Sequence, residues 1–110
     1  MIGENVILRV DGNNLHFQRT FKKLDQKIQK EARQTFGELF MLDVANAPLK
    51  LHLHPLKGFQ VNSVIDQNKK TKVYTIHISR EDKYKASFTL ENGTAYMRVC
   101  GEHDSVDKSP

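Results

Sequence analysis

Apolar residues recur every three or four positions in the N-terminal half of the chain. This spacing runs from Phe17 to Leu39 and predicts an amphipathic helical region that buries one face. A short strand is predicted before it, at residues 6–10, and the Asp, Gly and Asn residues at 11–14 supply a turn. We therefore expect helical structure over about residues 13–46, with one core-facing stripe. Its members are Phe17, Phe21, Leu24, Ile28, Ala32, Thr35 or Phe36, and Leu39.

Two features interrupt the helical region. Asp favours helix N-caps over helix interiors, so Asp25 starts a second helix in one interpretation, and a single long bent helix is the alternative. The region ends at Asn46-Ala47-Pro48, because a residue before proline is displaced from the α conformation. Its polar side is basic and is either a solvated face or a phosphate-binding one. The cations there are Arg19, Lys22, Lys23, Lys27, Lys30 and Arg33.

The C-terminal half changes to the period of two that is typical of β-strands. Residues 73–79, 83–91 and 94–100 are rich in β-branched and aromatic residues, and residues 59–65 supply a further edge strand. Asn92-Gly93 predicts a type I′ turn that fixes the register of the last two strands, and a turn at residues 80–82 fixes the preceding pair. The expected partners are Phe88 with Met97, Ala86 with Val99, Ser87 with Arg98, Ile76 with Ala86, and His77 with Lys85.

The helices have one apolar stripe and the sheet has one apolar face, so the two layers are expected to cover each other. The predicted fold class is α+β: two N-terminal helices, or one long bent helix, pack on one face of a twisted antiparallel sheet of about four strands. The 110 residues form a single domain, with a sheet part at about residues 59–101 and a short tail at 102–110. The other sheet face is expected to be open and to display His77, Lys85, Ser87, Tyr96 and Arg98.

The composition indicates which partners and which cellular environment to expect. Seventeen Lys and Arg residues against thirteen Asp and Glu give a net charge of +4, which favours an anionic partner such as nucleic acid or an acidic protein. Cys100 is the only cysteine, so no intramolecular disulfide can form and a reducing cytoplasm is expected. The N-terminus has no signal-peptide pattern, and no apolar run approaches the roughly 18 residues of a membrane span. We therefore expect no membrane partner.

Candidate chemistry centres on the segment LHLHPLKG at residues 51–58. The sequence has no Gly-rich phosphate loop, HExxH, Cys-x-x-Cys or Gly-x-Ser-x-Gly, and its His and Cys spacing matches no common metal site, so no metal or cofactor is expected. His, Lys and Arg remain, and they suit metal-independent phosphodiester transfer. In that reaction a base takes the ribose 2′-hydroxyl proton, cations stabilise the phosphate oxygens, and an acid protonates the 5′-oxygen.

Four motifs stand in an order that resembles the bacterial RelE/ParE toxin superfamily, and its HigB-like members in particular. They are LHPLKG, VYTIHIS, YKASFTLENGTAYMRV and GEHDSV, and the likeness extends from Phe21 to Asp104. The resemblance implies a microbial RNase-like fold and a toxin of a toxin–antitoxin module that cleaves mRNA in the ribosomal A site. The implied partners are a cognate antitoxin, the mRNA and 16S ribosomal RNA, in the bacterial cytoplasm.

The resemblance also assigns site residues. His54 matches the histidine of the LHPLKG segment and His103-Asp104 matches an H-D pair of the family, so His54 and His103 are the proton-transfer candidates, with their roles as base and acid open. Phosphate stabilisation is expected from Lys57, Lys85 and Arg98. The basic helical face and the predicted open sheet face add RNA contacts from Lys22, Lys23, Lys27, Lys30, His77 and Tyr96, and the H-D match adds Asp104.

The chain departs from the family pattern in two places. Relatives commonly carry a tyrosine after H-D, where this chain has Ser105-Val106-Asp107, and His77 stands where relatives often have Arg. Without the tyrosine, base stacking must come from elsewhere or activity is weaker. Two alternatives stand beside the nuclease: a ParE-like inhibitor of DNA gyrase that cuts no RNA, and a non-catalytic antitoxin-binding protein. His52 is interpreted as a spectator that tolerates alanine.

Overall fold

A mixed five-stranded sheet with three α-helices forms the protein in our computed structural model, over the residues it describes, 5–79 and 83–110. The helices are α1 (Leu15–Lys22), α2 (Gln26–Leu39) and α3 (His103–Lys108). The strands are β1 (Arg9–Asp11), β2 (His54–Asn62), β3 (Lys70–His77), β4 (Tyr84–Glu91) and β5 (Thr94–Glu102). The fold class is therefore α+β, and two 3-10 turns, Val44–Asn46 and Leu49–Leu51, join α2 to β2.

The helical region divides into two helices, as the first alternative predicts. Asn14 caps α1 by accepting a hydrogen bond from the backbone N–H of Phe17 at 3.1 Å, and Asp25 is the N-cap residue of α2. The predicted end near Pro48 is wrong for the α-helix itself. Helix α2 stops at Leu39, and Met41 then adopts a φ of 64°, which reverses the chain.

The sheet order is β1-β5-β4-β3-β2, and β1 lies parallel to β5. The expected antiparallel sheet of four strands is therefore wrong at this edge. The predicted first strand at residues 6–10 is displaced to Arg9–Asp11, and Val6 forms only an isolated bridge with Asp43. The carbonyl of Gly93 anchors β1, because it accepts hydrogen bonds from the N–H groups of Leu8 and Arg9 at 2.7 and 3.0 Å.

Most of the predicted register is confirmed. Strands β3 and β4 pair as expected, including His77 with Lys85, while the turn at residues 80–82 lies outside the described residues. Strands β4 and β5 pair as expected from the Asn92-Gly93 turn to Phe88 and Met97. Beyond that point Arg98 is an extra residue in a β-bulge, so the expected partners of Ser87 and Ala86 are wrong. The observed pairs are Ser87 with Val99 and Ala86 with Cys100.

The apolar face of the sheet packs against α1 and α2, as predicted. Its buried side chains are joined by residues of the helical stripe, and the rings of Phe17, Phe21 and Phe36 lie 5.8 to 6.4 Å apart. These apolar contacts hold the two layers together. The core contains Phe17, Leu24, Ala32, Leu39, Ile76, Ala86, Phe88, Ala95 and Met97.

The second face of the sheet is not open, which corrects the prediction. Lys85 is 2% exposed, Ser87 is fully buried, and His77, Tyr96 and Arg98 are half-buried. Helix α3 covers one end of this face and buries Val106 there. The expectation fails because it treats residues 102–110 as a short tail, whereas this segment folds back onto the sheet as a helix.

Strand β2 forms one edge of the sheet and begins earlier than predicted, at His54 instead of residue 59. Its pairing with β3 is interrupted between Pro55 and Gln60, where Gly58 has a φ of 80°. This conformation favours glycine and lets the strand bulge. No α-helix within residues 5–79 and 83–110 has the length and apolar character to cross a bilayer.

A buried carboxylate fixes the loop after β2. Glu91 accepts hydrogen bonds from the Ser63 hydroxyl, from the Val64 N–H at 3.0 Å and from the Thr89 hydroxyl at 3.0 Å. Burial acts to raise the pKa of Glu91, but these donors outweigh it and leave the pKa below its ordinary value of 4.5. The ionised carboxylate therefore stabilises the folded state above that pH.

We expect Glu91→Gln to lower the free energy of unfolding at pH 7 by about 1–3 kcal/mol, because it weakens charge-assisted hydrogen bonds. The folded pKa of Glu91 lies below its unfolded value, so this advantage is lost as pH falls from 4.5 through the folded pKa. Urea titrations of the wild type and Glu91→Gln over this pH range measure the difference between their free energies of unfolding. Glu38→Gln, which removes an exposed ion pair with Lys50, is the control and should change little. A difference in the free energy of unfolding that stays unchanged in acid would contradict the stabilising role of the ionised Glu91 carboxylate.

The two glycine positions Gly93 and Gly37 should respond to alanine with opposite signs. Gly93 has a φ of 80°, and an added Cβ would lie 3.0 Å from Leu8, so Gly93→Ala should destabilise the protein by about 1–2 kcal/mol. Gly37 lies in α2 with nothing within 4 Å of an added Cβ, so Gly37→Ala should stabilise it by about 0.5–1 kcal/mol. Denaturant unfolding measures both, and equal signs would refute the turn geometry.

Candidate functional site

Three imidazole rings lie in contact at one end of the sheet. The rings of His52 and His77 stack with centroids 4.2 Å apart and 12° between their planes. The ring of His103 meets His77 edge-on, with centroids 5.5 Å apart and a plane angle of 72°. We call His52, His77 and His103 the histidine row. Because imidazole can give and take protons near neutral pH, the row gathers three candidates for proton transfer.

Strand pairing brings two of these rings together. His77 ends β3 and pairs with Lys85, and Lys85 pairs in turn with Gly101 on β5. Strand β5 runs directly into α3, so His103 follows Gly101 by two residues. The N–H of His103 donates to the carbonyl of Lys83 at 2.7 Å, which fixes the start of the helix beside His77.

His52 reaches the row through an unusual backbone conformation. It ends the 3-10 turn Leu49–Leu51 with φ 47° and ψ 40°, in the left-handed region that non-glycine residues seldom adopt. The side chain is exposed, yet its ring lies flat on His77. The sequence interpretation treated His52 as a spectator, but the structure includes it in the histidine row.

An ion pair supports the histidine row from inside the sheet. The Nζ of buried Lys85 donates to both carboxylate oxygens of Asp107 on α3, at 3.0 and 3.2 Å. Oδ2 of the same carboxylate lies 3.3 Å from Nδ1 of His103. Oδ1 of Asp104 is hydrogen-bonded to that nitrogen at 3.3 Å, but the Asp104 side chain is 92% exposed. Lys85 is therefore buried and paired with Asp107. It does not lie on an open face, where the sequence analysis placed it.

His54 lies beside the row on the edge strand. It pairs with Thr75, whereas His77 is two residues further along β3, so His54 and His77 are diagonal neighbours, roughly 7–8 Å apart between Cα atoms in such a register. The side chain of His54 is exposed, and its Nδ1 is 3.2 Å from the carbonyl oxygen of Pro55. Register therefore brings His54 near the row, and solvent reaches it.

Arg98 and Tyr96 lie elsewhere. They line a cavity of about 260 Å³ with Asn13 and Asn14, next to the start of α1. The Nε of Arg98 donates to the carbonyl oxygen of Pro110 at 3.5 Å, and burial lowers the pKa of Arg98 while Glu91 acts to raise it. Arg98 precedes Gly101 by three residues, or about 10 Å of strand, so the expected grouping of Arg98 with Lys85 is wrong.

The other predicted cations are on the surface. Lys57 is exposed in the bulged part of β2, and it lines a cleft of about 550 Å³ that also contains Pro55, Phe59 and Lys72. The helical lysines are exposed, in agreement with a solvated or a phosphate-binding face: Lys22, Lys23, Lys27 and Lys30. They belong to α1, α2 and the turn between them, whose apolar sides cover the opposite face of the sheet from α3.

Comparison with known proteins adds no information about this site, so the site is described from its geometry alone. No protein-family model, no curated protein and no solved structure matches the chain. Within residues 5–79 and 83–110 no group of three or more His, Cys, Asp or Glu side chains is arranged to hold a metal ion. Proton transfer between the imidazoles and an anionic ligand is the chemistry for which the histidine row is suited.

Two residues of the site, His52 and Asp107, were not predicted from the sequence. A signal for Asp107 did exist, because it stands four residues after His103 and the two share a helix face if residues 103–108 are helical. No pattern in the sequence indicates the left-handed conformation of His52.

Cys100 is a poor nucleophile, and labelling can verify this. It is buried beside the Thr20 hydroxyl, and burial raises the pKa of its thiol to about 11, although the Thr20 contact acts to lower it. At pH 8 only about one thiol in a thousand is ionised. We expect Ellman's reagent to label the native protein at least about 100-fold more slowly than the denatured chain. Comparable rates would show that Cys100 is accessible and ionised.

Proposed function

We propose that the protein is a metal-independent endoribonuclease. The observation that carries this proposal is the histidine row next to the Lys85–Asp107 pair, with exposed His54 beside it. Several imidazoles at one place can supply both an acid and a base, which cleavage of a phosphodiester by its own 2′-hydroxyl requires. The net charge of +4 favours binding of the polyanionic substrate.

The proposed reaction needs no group beyond the chain and the RNA. A base removes the proton from the ribose 2′-oxygen, and the freed electron pair forms a bond to the adjacent phosphorus. The bond from phosphorus to the 5′-oxygen breaks, and an acid gives that oxygen a proton. The products are a 2′,3′-cyclic phosphate and a 5′-hydroxyl. His103 is a candidate for one proton transfer, and His54 or His77 for the other.

Cations that reach solvent must then stabilise the phosphate, because Lys85 is occupied by Asp107. Lys57 follows His54 by three residues on the edge strand, and its exposed side chain fits this role. The exposed side chain of His52 offers an aromatic platform for a nucleobase, in place of the missing family tyrosine.

The biological substrate and partners in this proposal follow from the resemblance of the LHPLKG and GEHDSV motifs to HigB-like toxins. We infer that the RNA is messenger RNA in the ribosomal A site, where 16S ribosomal RNA borders the protein, and that a cognate antitoxin holds the protein inactive. The exposed lysines of α1, α2 and the turn between them supply a basic surface for either polyanion.

The test adds purified protein to a coupled translation reaction and maps message ends by primer extension. We expect ribosome-dependent cuts that survive EDTA treatment of the protein before its addition. His103→Ala and His54→Ala should each reduce cleavage by about 10²–10⁴-fold, because each removes a proton-transfer group. His16→Ala is the matched control, since His16 is an exposed histidine on α1, away from the sheet face that α3 covers.

Other outcomes would overturn the proposal. An intact message together with blocked supercoiling by gyrase would favour the ParE-like alternative. An intact message without gyrase inhibition would leave a protein that only binds its antitoxin. Full cleavage by both His103→Ala and His54→Ala would show that neither histidine transfers a proton in the reaction.

A further inference from the structure

The buried ion pair on the second sheet face needs a physical explanation. A lysine ammonium is almost never fully buried unless it is paired, and Lys85 is 2% exposed. Its Nζ donates to both oxygens of Asp107, at 3.0 and 3.2 Å. Such a pair contributes little net stability compared with apolar residues of similar size, so its presence points to a role beyond stability.

Asp107 connects this pair to a histidine. Its Oδ2 lies 3.3 Å from Nδ1 of His103, one turn earlier on α3. The same nitrogen is hydrogen-bonded to Oδ1 of Asp104 at 3.3 Å, so Asp107 contributes an ion-pair contact beside that bond. Because an ionised carboxylate only accepts hydrogen bonds, both carboxylates favour a proton on Nδ1 of His103. Nε2, on the other side of the ring, then carries the lone pair. His103 borders a cleft of about 490 Å³, lined also by Lys83, Tyr84, Glu102 and Asp104, which gives a ligand access to the ring.

We propose that Asp107, held by Lys85, is a positioning residue that keeps His103 in the Nδ1–H tautomer and thereby makes His103 the general base. The inference rests on the proposed function and deepens it. Nε2 of His103 takes the proton of the 2′-hydroxyl, the oxygen's electron pair forms the new bond to phosphorus, and the 5′-oxygen leaves with a proton from the acid. Asp107 places a negative charge opposite the imidazolium that forms.

Asp104 provides a matched control. Its Oδ1 is hydrogen-bonded to the same nitrogen of His103 at 3.3 Å, but its side chain is 92% exposed, whereas that of Asp107 is 33% exposed and is held by Lys85. A restrained carboxylate orients its partner better than a mobile, solvated one. Asp107→Ala should therefore shift the tautomer of His103 more than Asp104→Ala does, and this comparison is made on the tautomer because Asp104 is itself an expected RNA contact.

The tautomer can be measured without reference to catalysis. Long-range proton–nitrogen NMR spectra of the full chain, labelled with ¹⁵N-histidine, distinguish Nδ1–H from Nε2–H, and His103→Gln assigns the signal among the five histidines. We expect His103 to be mainly Nδ1–H when neutral in the wild type and in Asp104→Ala. It should shift toward Nε2–H in Asp107→Ala. The opposite pattern, or no Nδ1–H form in the wild type, would overturn the proposal.

The cleavage assay is the second measurement. Asp107→Ala should lower kcat by about 10²–10³-fold and change KM little, because substrate does not touch the carboxylate. Asp107→Glu should restore part of the activity. If the wild type cleaves RNA and Asp107→Ala keeps full kcat, the positioning role of Asp107 is refuted while the proposed nuclease function stands. If the wild type does not cleave RNA, the proposed function fails, and the NMR result still decides the tautomer.

A folding defect would not hide the answer. Asp107→Ala leaves a buried ammonium without its carboxylate, so circular dichroism must confirm that the variant is folded. Should it unfold, the double variant Lys85→Met/Asp107→Ala removes the unpaired charge and keeps an unbranched apolar side chain at position 85. The same shift toward Nε2–H is expected in that protein, and its absence would contradict the proposal.

Discussion

The ammonium group of Lys85 lies inside the sheet face that α3 covers, and the carboxylate of Asp107 is what makes this burial tolerable. Helix α3 has six residues, which is too short for a stable helix in isolation. Its position therefore depends on this ion pair and on the burial of Val106. Because His103 begins the same helix, the pair also decides where its imidazole lies relative to His77.

Local chemistry determined the parts of the fold that could be predicted. Asn92 and Gly93 take positive φ values of 51° and 80°, so the hairpin register follows from residue type alone. Asp25 likewise stands at the N-cap position between the two helices, although its side chain makes no capping hydrogen bond there. The parallel pairing of β1 with β5 had no such signal, since three residues are too few for a hydrophobic period to identify a partner strand.

The candidate site was predictable to the extent that it depends on register. The pairing of His77 with Lys85 followed from counting along the strands, and His103 from a motif. The burial of Lys85 did not follow, because alternation in a strand separates two faces without showing that a later segment covers the polar one. The stack of His52 on His77 depends on a single left-handed residue, which tertiary contacts determine.

The bulge at Arg98 has a consequence for the whole C-terminal segment. Side chains alternate between the faces of a strand, so one inserted residue exchanges the faces of every residue after it. With Arg98 bulged, Cys100 contacts Thr20 on the helical side, and Val99 shares the other face with Ser87. With regular pairing these faces would be exchanged, so Cys100 would lie on the face of Lys85 and Val99 on the face of Ala86. One extra residue in β5 thus decides which side chains near its end meet α1 and which meet the face that α3 covers.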